Sequence, residues 1–304
     1  MIPVALGPDD TSSWLADAVV AGDGEVRETA DAEVLIWTRP DEADALATTV
    51  AEHPGIRWVQ LPWAGIELQV DVIRAHPERT WTCAKGVYAE PVAELALALM
   101  LAGVRGLGTY VRTTTWLGPQ GKNLIGSNVV IIGAGGITES LLRLLEPFMC
   151  DVTVVRRRAA ALSGAARILT LNHLDDAIAE ADVAVLALAL TPETEGLIDR
   201  RRLDLLGERG WVVNVARGRH VVTDDLVAAL QEGTIGGAAL DVTDPEPLPD
   251  DHPLWTFPNV LITPHIGSTP EMARPLLANR VTDNLRRWAA GDALLGVIDL
   301  AAGY

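Results

Sequence analysis

The sequence predicts an α/β protein of two domains, one inserted into the other, and three observations carry that prediction. Short runs of β-branched and other apolar residues alternate with helical patterns along nearly all of the 304 residues. Those runs are apolar on both faces, as strands of a parallel sheet covered by helices must be. Two long helical patterns bracket a self-contained stretch of this alternation, where links between domains would lie. A chain of this length can bury a sizeable core in each half.

Taken in order, the first strand candidates are "VLIW" (34–37) and "IRWVQL" (56–61). The pattern "EPVAELALALMLAGVRGLGTYVR" (90–112) reads as the first linking helix. Then come "NVVIIG" (128–133), "VTVV" (152–155), "VAVLALAL" (183–190), "WVVNVA" (211–216) and "VLIT" (260–263). The second linking helix opens in "STPEMARPLLANRVTDNLRRWAAG", where Ser268 or Thr269 can cap it and Pro270 suits its first turn. The expected division is an inserted domain of 98–268 enclosed by a domain made of 1–97 and 269–304, with no internal repeat.

Composition excludes several function classes. A formal net charge of −17 repels a phosphate backbone, so no nucleic-acid partner is expected. The longest apolar run, 95–104, is half of the roughly 20 residues a spanning helix needs, so no membrane segment is expected. With only Cys83 and Cys150, neither a disulfide framework nor a Cys-rich metal site is expected. The opening "MIPVALGPDD" lacks the basic-then-apolar pattern of a signal peptide, and a cytoplasmic location follows as the expectation.

The stretch "VVIIGAGGITES" (129–140) places Gly133, Gly135, Gly136 and Ile137 between a strand and a helical pattern that runs through Leu141, Leu142, Leu144, Leu145 and Phe148. That is the context in which backbone N–H groups at a helix N-terminus hold a pyrophosphate. Thr138 stands where the usual G-x-G-x-x-G spacing has its third glycine, so a plain strand-to-helix turn is the alternative. The next strand ends in "DVTVVRRRAA". An acidic residue about 20 positions past the loop ordinarily accepts from the ribose hydroxyls of NAD. Here Arg156, Arg157 and Arg158 stand there instead, and a guanidinium suits a ribose 2′-phosphate. NADP is the expected cofactor and NAD the alternative.

The second half carries "WVVNVARGRHVV", "GGAALDVTDPEPLPDDHPLW" and "NVLITPHIGSTPE" in series, after "GVYAEPVAELALALML" and "LALTPETEGLI". With these motifs the chain resembles the D-isomer-specific 2-hydroxyacid dehydrogenases, a family that includes glyoxylate and hydroxypyruvate reductases. The resemblance runs from about Trp58 to Trp288. It implies two doubly wound Rossmann/flavodoxin-like domains, the inserted one binding the dinucleotide and the other the substrate. It implies that Arg217 binds the substrate carboxylate and carbonyl oxygen, that Glu246 partners the histidine and that His265 is the acid/base. It further implies that Asp241 holds the nicotinamide amide, that Thr194 contacts the cofactor, and that backbone N–H groups of the loop Trp63, Ala64, Gly65, Ile66 receive the carboxylate. A homodimer through the nucleotide domain is implied as well. The apolar helix suits such a contact, and burial within its own chain would account for it equally. Thr138, Ala189 in place of a frequent proline, and the loop "PWAGIE" depart from the family pattern.

Chemistry asks for the same residue types. A 2-keto acid presents a carboxylate beside a carbonyl, and a guanidinium can hold both. Hydride arriving at the keto carbon leaves an alkoxide that needs a proton from a group titrating near neutrality, as histidine does. A carboxylate on the second ring nitrogen favours the charged ring and fixes its tautomer. His53, His76, His173, His220 and His252 read as surface or packing residues. The expected activity is reduction of a small 2-keto acid to its 2-hydroxy acid. Competing readings are an NAD-linked enzyme for an acid such as 3-phosphoglycerate, opposed by the arginines and by a chain that ends soon after its last helix, and a nucleotide-sensing corepressor or scaffold. A methyltransferase would leave the later motifs unexplained.

Overall fold

The structure, a computed structural model, describes residues 1–8 and 12–300. It divides into two compact units, one formed by Met1–Tyr88 with Thr269–Tyr304 and the other by Ala89–Ser268. The last four residues of the expected 269–304 segment lie outside the described residues.

The first unit holds a parallel sheet of β1 (Ile2–Gly7), β2 (Gly24–Val26), β3 (Val34–Trp37), β4 (Trp58–Gln60) and β5 (Thr80–Thr82), in the order β2-β1-β3-β4-β5. This is the flavodoxin-like order, with the chain reversing direction across the sheet at β1 and β3. Helices α1 (Ser13–Ala21), α2 (Ala43–Glu52) and α3 (Val70–Ala75) connect these strands. Residues β2 and β5 contribute are so few that no hydrophobic period could reveal them beforehand.

The second unit holds seven parallel strands: β6 (Asn128–Ile132), β7 (Asp151–Val155), β8 (Arg167–Leu169), β9 (Val183–Leu186), β10 (Trp211–Asn214), β11 (Gly237–Leu240) and β12 (Val260–Ile262). Their order is β12-β11-β10-β9-β6-β7-β8, so the chain reverses between β6 and β9. Its helices are α4 (Ala89–Val104), α5 (Leu107–Arg112), α6 (Gly136–Leu145), α7 (Leu174–Ala179), α8 (Arg200–Leu206) and α9 (Thr223–Glu232). Alternation along β6 explains the double apolar pattern. Val130 and Ile132 enter one core with Leu174, Leu203 and Leu226, whereas Val129 and Ile131 enter the other with Ala96, Met100 and Leu141. Each strand side is covered by helices, and burial of both faces is what stabilises a parallel sheet.

Three details differ from the pattern in the sequence. The compact units divide at Ala89 where the sequence suggests 98, and α4 packs one face against α6, β10 and β11. That approach depends on Gly103, where a Cβ would stand 2.5 Å from Cε3 of Trp211. The pattern 90–112 is also two helices rather than one. Gly106 interrupts it in the left-handed region, at φ 66°, a conformation glycine adopts without steric cost. The run 183–190 stays extended only to Leu186, after which the chain leaves the sheet.

The last helix, α10 (Pro270–Ala290), returns to the first unit. A buried polar chain fastens it there: Asn284 donates to Gln60 Oε1 at 3.1 Å, Thr82 Oγ1 donates to the same oxygen at 2.9 Å, and Trp58 Nε1 donates to Thr82 Oγ1 at 2.8 Å. Such groups cost heavily when buried without partners, so the network fixes one docking register for α10. Thr269 occupies the N-cap position without a side-chain capping bond, and Pro270 starts the helix. Among the described residues no helix is long and apolar enough to cross a membrane, and no cluster of three metal-ligating side chains occurs.

Candidate active site

Three neighbouring strands of the second unit lead into residues that the sequence motifs single out. Arg217 follows β10, Asp241 and Glu246 follow β11, and His265 follows β12. The carboxyl edge of an open α/β sheet is where such folds place ligands. His265 Nδ1 lies 2.7 Å from Glu246 Oε1. An ionised carboxylate only accepts, so Nδ1 donates to it and Nε2 is left for other work. Both side chains stay about half exposed, at 51% and 42%, so solvent reaches the pair.

Arg217 sits on a turn shaped by Asn214, which is buried. The Asn214 amide donates to the carbonyl of Arg217 at 2.8 Å and accepts from the N–H of Ala216 at 3.0 Å. The guanidinium of Arg217 donates from Nη1 to the carbonyl of Ala216 at 2.8 Å. Next to it, Gly218 touches the backbone that leads to Glu246, for a Cβ there would stand 1.9 Å from the carbonyl oxygen of Thr243. Only glycine lets the arginine turn and the "DPEP" loop approach so closely. Asn214 and Gly218 stand inside "WVVNVARGRHVV" and Thr263 inside "NVLITPHIGSTPE", so these motifs are the signal in the sequence for all three.

Asp241 is buried, with 3% of its surface exposed. Its carboxylate accepts from Thr263 Oγ1 at 2.6 Å, Ile266 N–H at 2.8 Å and Gly267 N–H at 2.9 Å. Ser268, three positions beyond His265, carries a buried hydroxyl with no hydrogen-bond partner. A buried polar atom left this way is satisfied by a bound molecule or water.

The glycine turn lies at the end of β6, beside the point where the sheet reverses. Gly133 has φ 116°, and a Cβ on it would stand 2.1 Å from the carbonyl oxygen of Ala187. Gly135 is open, with no heavy atom within 4 Å of the position a Cβ would take. Helix α6 starts at Gly136 with no side-chain cap on its first N–H groups. Unfilled space in front of uncapped N–H donors fits a pyrophosphate. Thr138 does not spoil the turn: it is fully buried, and its hydroxyl donates to the carbonyl of Gly133 at 3.1 Å.

Arg156, Arg157 and Arg158 leave the end of β7 as expected of their place in the chain, Arg156 half-buried and the other two exposed. Arg156 donates to the carbonyl of Ala160 at 3.3 Å. Glu193 lies below the ordinary carboxylate range, chiefly through a hydrogen bond from Thr191 and its own backbone, with the charge of Arg157 adding to both. Thr194 has its polar groups engaged internally. Its hydroxyl donates to the carbonyl of Ala189 at 2.9 Å, its N–H donates to Thr191, and its carbonyl faces Nδ1 of His220 at 2.9 Å. Thr194 therefore shapes its loop, and buried His220 braces the same loop.

Ala64 and Gly65 belong to the first unit, in the loop after β4. That loop is held by its own neighbours: Leu61 N–H donates to Thr82 at 2.7 Å, Ala84 N–H to Trp63 at 2.9 Å, and the Tyr88 hydroxyl to Pro62 at 2.6 Å. Burial pushes the Tyr88 phenol well up, so it remains a donor. The Trp63 and Tyr88 rings meet at 5.5 Å between centroids, with Trp63 40% exposed.

Known proteins resemble this chain in sequence and fold. The family profile described as "D-isomer specific 2-hydroxyacid dehydrogenase, NAD binding domain" matches residues 96–267. An uncharacterized protein of Corynebacterium melassecola is 36% identical over 94% of this chain and 95% of its own. The glyoxylate reductase/hydroxypyruvate reductase of Homo sapiens is 31% identical over 94% of this chain and 89% of its own. Among solved structures, a D-isomer specific 2-hydroxyacid dehydrogenase from Xanthobacter autotrophicus, in complex with NADPH and MES, superimposes with a TM-score of 0.84 at 27% identity, covering 100% of this chain and 99% of its own.

Proposed function

The chain belongs to the D-isomer-specific 2-hydroxyacid dehydrogenase family, and from that premise we propose that it reduces a small 2-keto acid of the glyoxylate or hydroxypyruvate kind to the D-2-hydroxy acid with NADPH. The observation that carries the proposal is the 2.7 Å contact of His265 Nδ1 with Glu246 Oε1 at the sheet edge that bears Arg217. Bound nicotinamide supplies the hydride. His265 donates a proton from Nε2 to the carbonyl oxygen while Glu246 holds the ring, and Arg217 holds the carboxylate and polarises the carbonyl. Gly133, Gly135, Gly136 and Ile137 offer the pyrophosphate site, and Asp241 retains an acceptor site for the nicotinamide amide. Ala64 and Gly65 offer backbone N–H donors for the carboxylate, in a loop fastened by hydrogen bonds to Thr82, Ala84 and Tyr88. The human relative's name supports the substrate class, and the NADPH complex of the Xanthobacter protein supports the cofactor.

Turnover of a panel of 2-keto acids with NADPH and with NADH tests this reading. NADPH is expected to be the better cofactor, and Arg156→Asp with Arg157→Ser is expected to raise KM for NADPH by about 10-fold or more, the scale of a lost charge-assisted contact of about 1.5–3 kcal/mol, with little change for NADH. Equal effects on the two cofactors would remove the role of the arginines. Tight NADPH binding without turnover of any keto acid would favour a nucleotide-sensing protein instead.

A homodimer through the second unit is also proposed, since Leu107, Val111, Trp116 and Ile125 are exposed on the segment that follows α4. Helix α4 itself buries one face against α6, β10 and β11 of its own chain. Sedimentation at the mass of a single chain would rule the dimer out.

A further inference from the structure

His265 is a non-glycine residue in the left-handed region, with φ 53°. There an L side chain crowds the neighbouring backbone, so the conformation persists only where its surroundings hold it. Asp241 holds it from two directions. Its carbonyl oxygen accepts from the His265 N–H at 2.8 Å. Its carboxylate accepts from the next two backbone N–H groups, Ile266 at 2.8 Å and Gly267 at 2.9 Å, and from Thr263 Oγ1 at 2.6 Å. Successive N–H groups converge on one anion when a left-handed residue alternates with right-handed ones, which turns a short peptide into an anion-binding concavity. The bend at His265 and the buried carboxylate therefore require each other.

We infer that Asp241 and Thr263 are positioning residues for His265: they lock the turn that aims its ring at Glu246 on one side and leaves Nε2 for the substrate on the other. The inference rests on His265 as the proton donor. It adds to any contact Asp241 makes with the nicotinamide amide, because a carboxylate offers about four acceptor sites and the turn uses three. Asparagine cannot replace it. One of its two terminal atoms is an NH2, which would face either the Gly267 N–H or the donors shared by Ile266 and Thr263, donor against donor. Relaxation of the turn would then carry the ring off Glu246, and a displacement of about 1 Å at a reacting group is enough to cost about 100-fold in rate.

The test compares Asp241→Asn, Thr263→Val, Thr263→Ser and His265→Gln with wild type. In protein without added cofactor, amide exchange of Ile266 and Gly267 followed by NMR is expected to quicken about 10-fold or more in Asp241→Asn, as a lost local hydrogen bond of about 1.4 kcal/mol requires. Thr263→Val is expected to lower kcat about 10-fold and to move the falling limb of the reduction pH profile downward, with NADPH affinity unchanged. Thr263→Ser keeps the hydroxyl and is expected to restore kcat to within about 3-fold. Unchanged exchange in Asp241→Asn, or a Thr263→Val variant in which NADPH affinity falls in step with kcat, would overturn the inference and leave Asp241 to the cofactor. If Asp241→Asn does not fold, the Thr263 pair decides. Full activity in His265→Gln would instead overturn the proton-donor reading, and the exchange result would still judge the turn.

Discussion

His265→Ala is expected to lower kcat for keto-acid reduction by about 100- to 10,000-fold, the range over which a positioned acid contributes. Reduction needs the charged imidazolium before hydride transfer, so activity falls as pH rises and the ring loses its proton. Oxidation of the hydroxy acid needs the neutral ring, so its optimum lies on the alkaline side of that for reduction. Glu246 touches the ring at 2.7 Å, with Nδ1 facing its carboxylate. Glu246→Gln removes the charge and keeps the shape, so the falling limb of log kcat/KM for reduction should move to lower pH. Because each residue works through the other, the losses in the double variant should not add. The measurement is the pH profile of wild type and Glu246→Gln with one keto acid. An unmoved limb would make Glu246 a loop carboxylate with no part in proton transfer.

What could be read in the sequence was whatever depends on a residue and its immediate neighbours. The β-branched runs announced seven of the strands because each is buried on both faces, and the "TPHIG", "DPEP" and "NVARG" motifs announced the side chains at the carboxyl edge. Contacts between distant segments were another matter. Nothing near Gly218 says that the backbone of Thr243 will press against it, and nothing near His265 says that Asp241 will bend it left-handed. Thr138 looked like a flaw in the glycine turn, since its hydroxyl's partner, the carbonyl of Gly133, becomes evident only when the turn is closed. The boundary at Ala89 was hidden for the same reason. A helix as apolar as α4 does not say in its sequence which sheet it will cover, nor that Gly103 will lie against Trp211.

Arg217→Ala is expected to impair reduction about 100- to 1,000-fold while leaving NADPH affinity nearly unchanged. The guanidinium is carried past the end of β10 on a turn fixed by buried Asn214, and its Nη1 donates to the carbonyl of Ala216. The glycine turn proposed to hold the pyrophosphate follows β6, and β9 lies between β6 and β10 in the sheet. Losing the guanidinium is therefore expected to leave that turn intact. A keto acid loses more, because its carbonyl oxygen becomes an alkoxide during the reaction and a fixed donor is worth most where charge develops. Removing a single such donor costs about 2.7–4 kcal/mol of transition-state stabilisation, which is the stated loss of rate. Arg217→Lys should recover little, since an ammonium cannot hold carboxylate and carbonyl with two parallel hydrogen bonds. Fluorescence titration with NADPH, run beside kcat/KM for one keto acid, separates the outcomes. If NADPH binding weakened as much as turnover did, Arg217 would be a cofactor or folding residue, and the carboxylate would have to be held elsewhere.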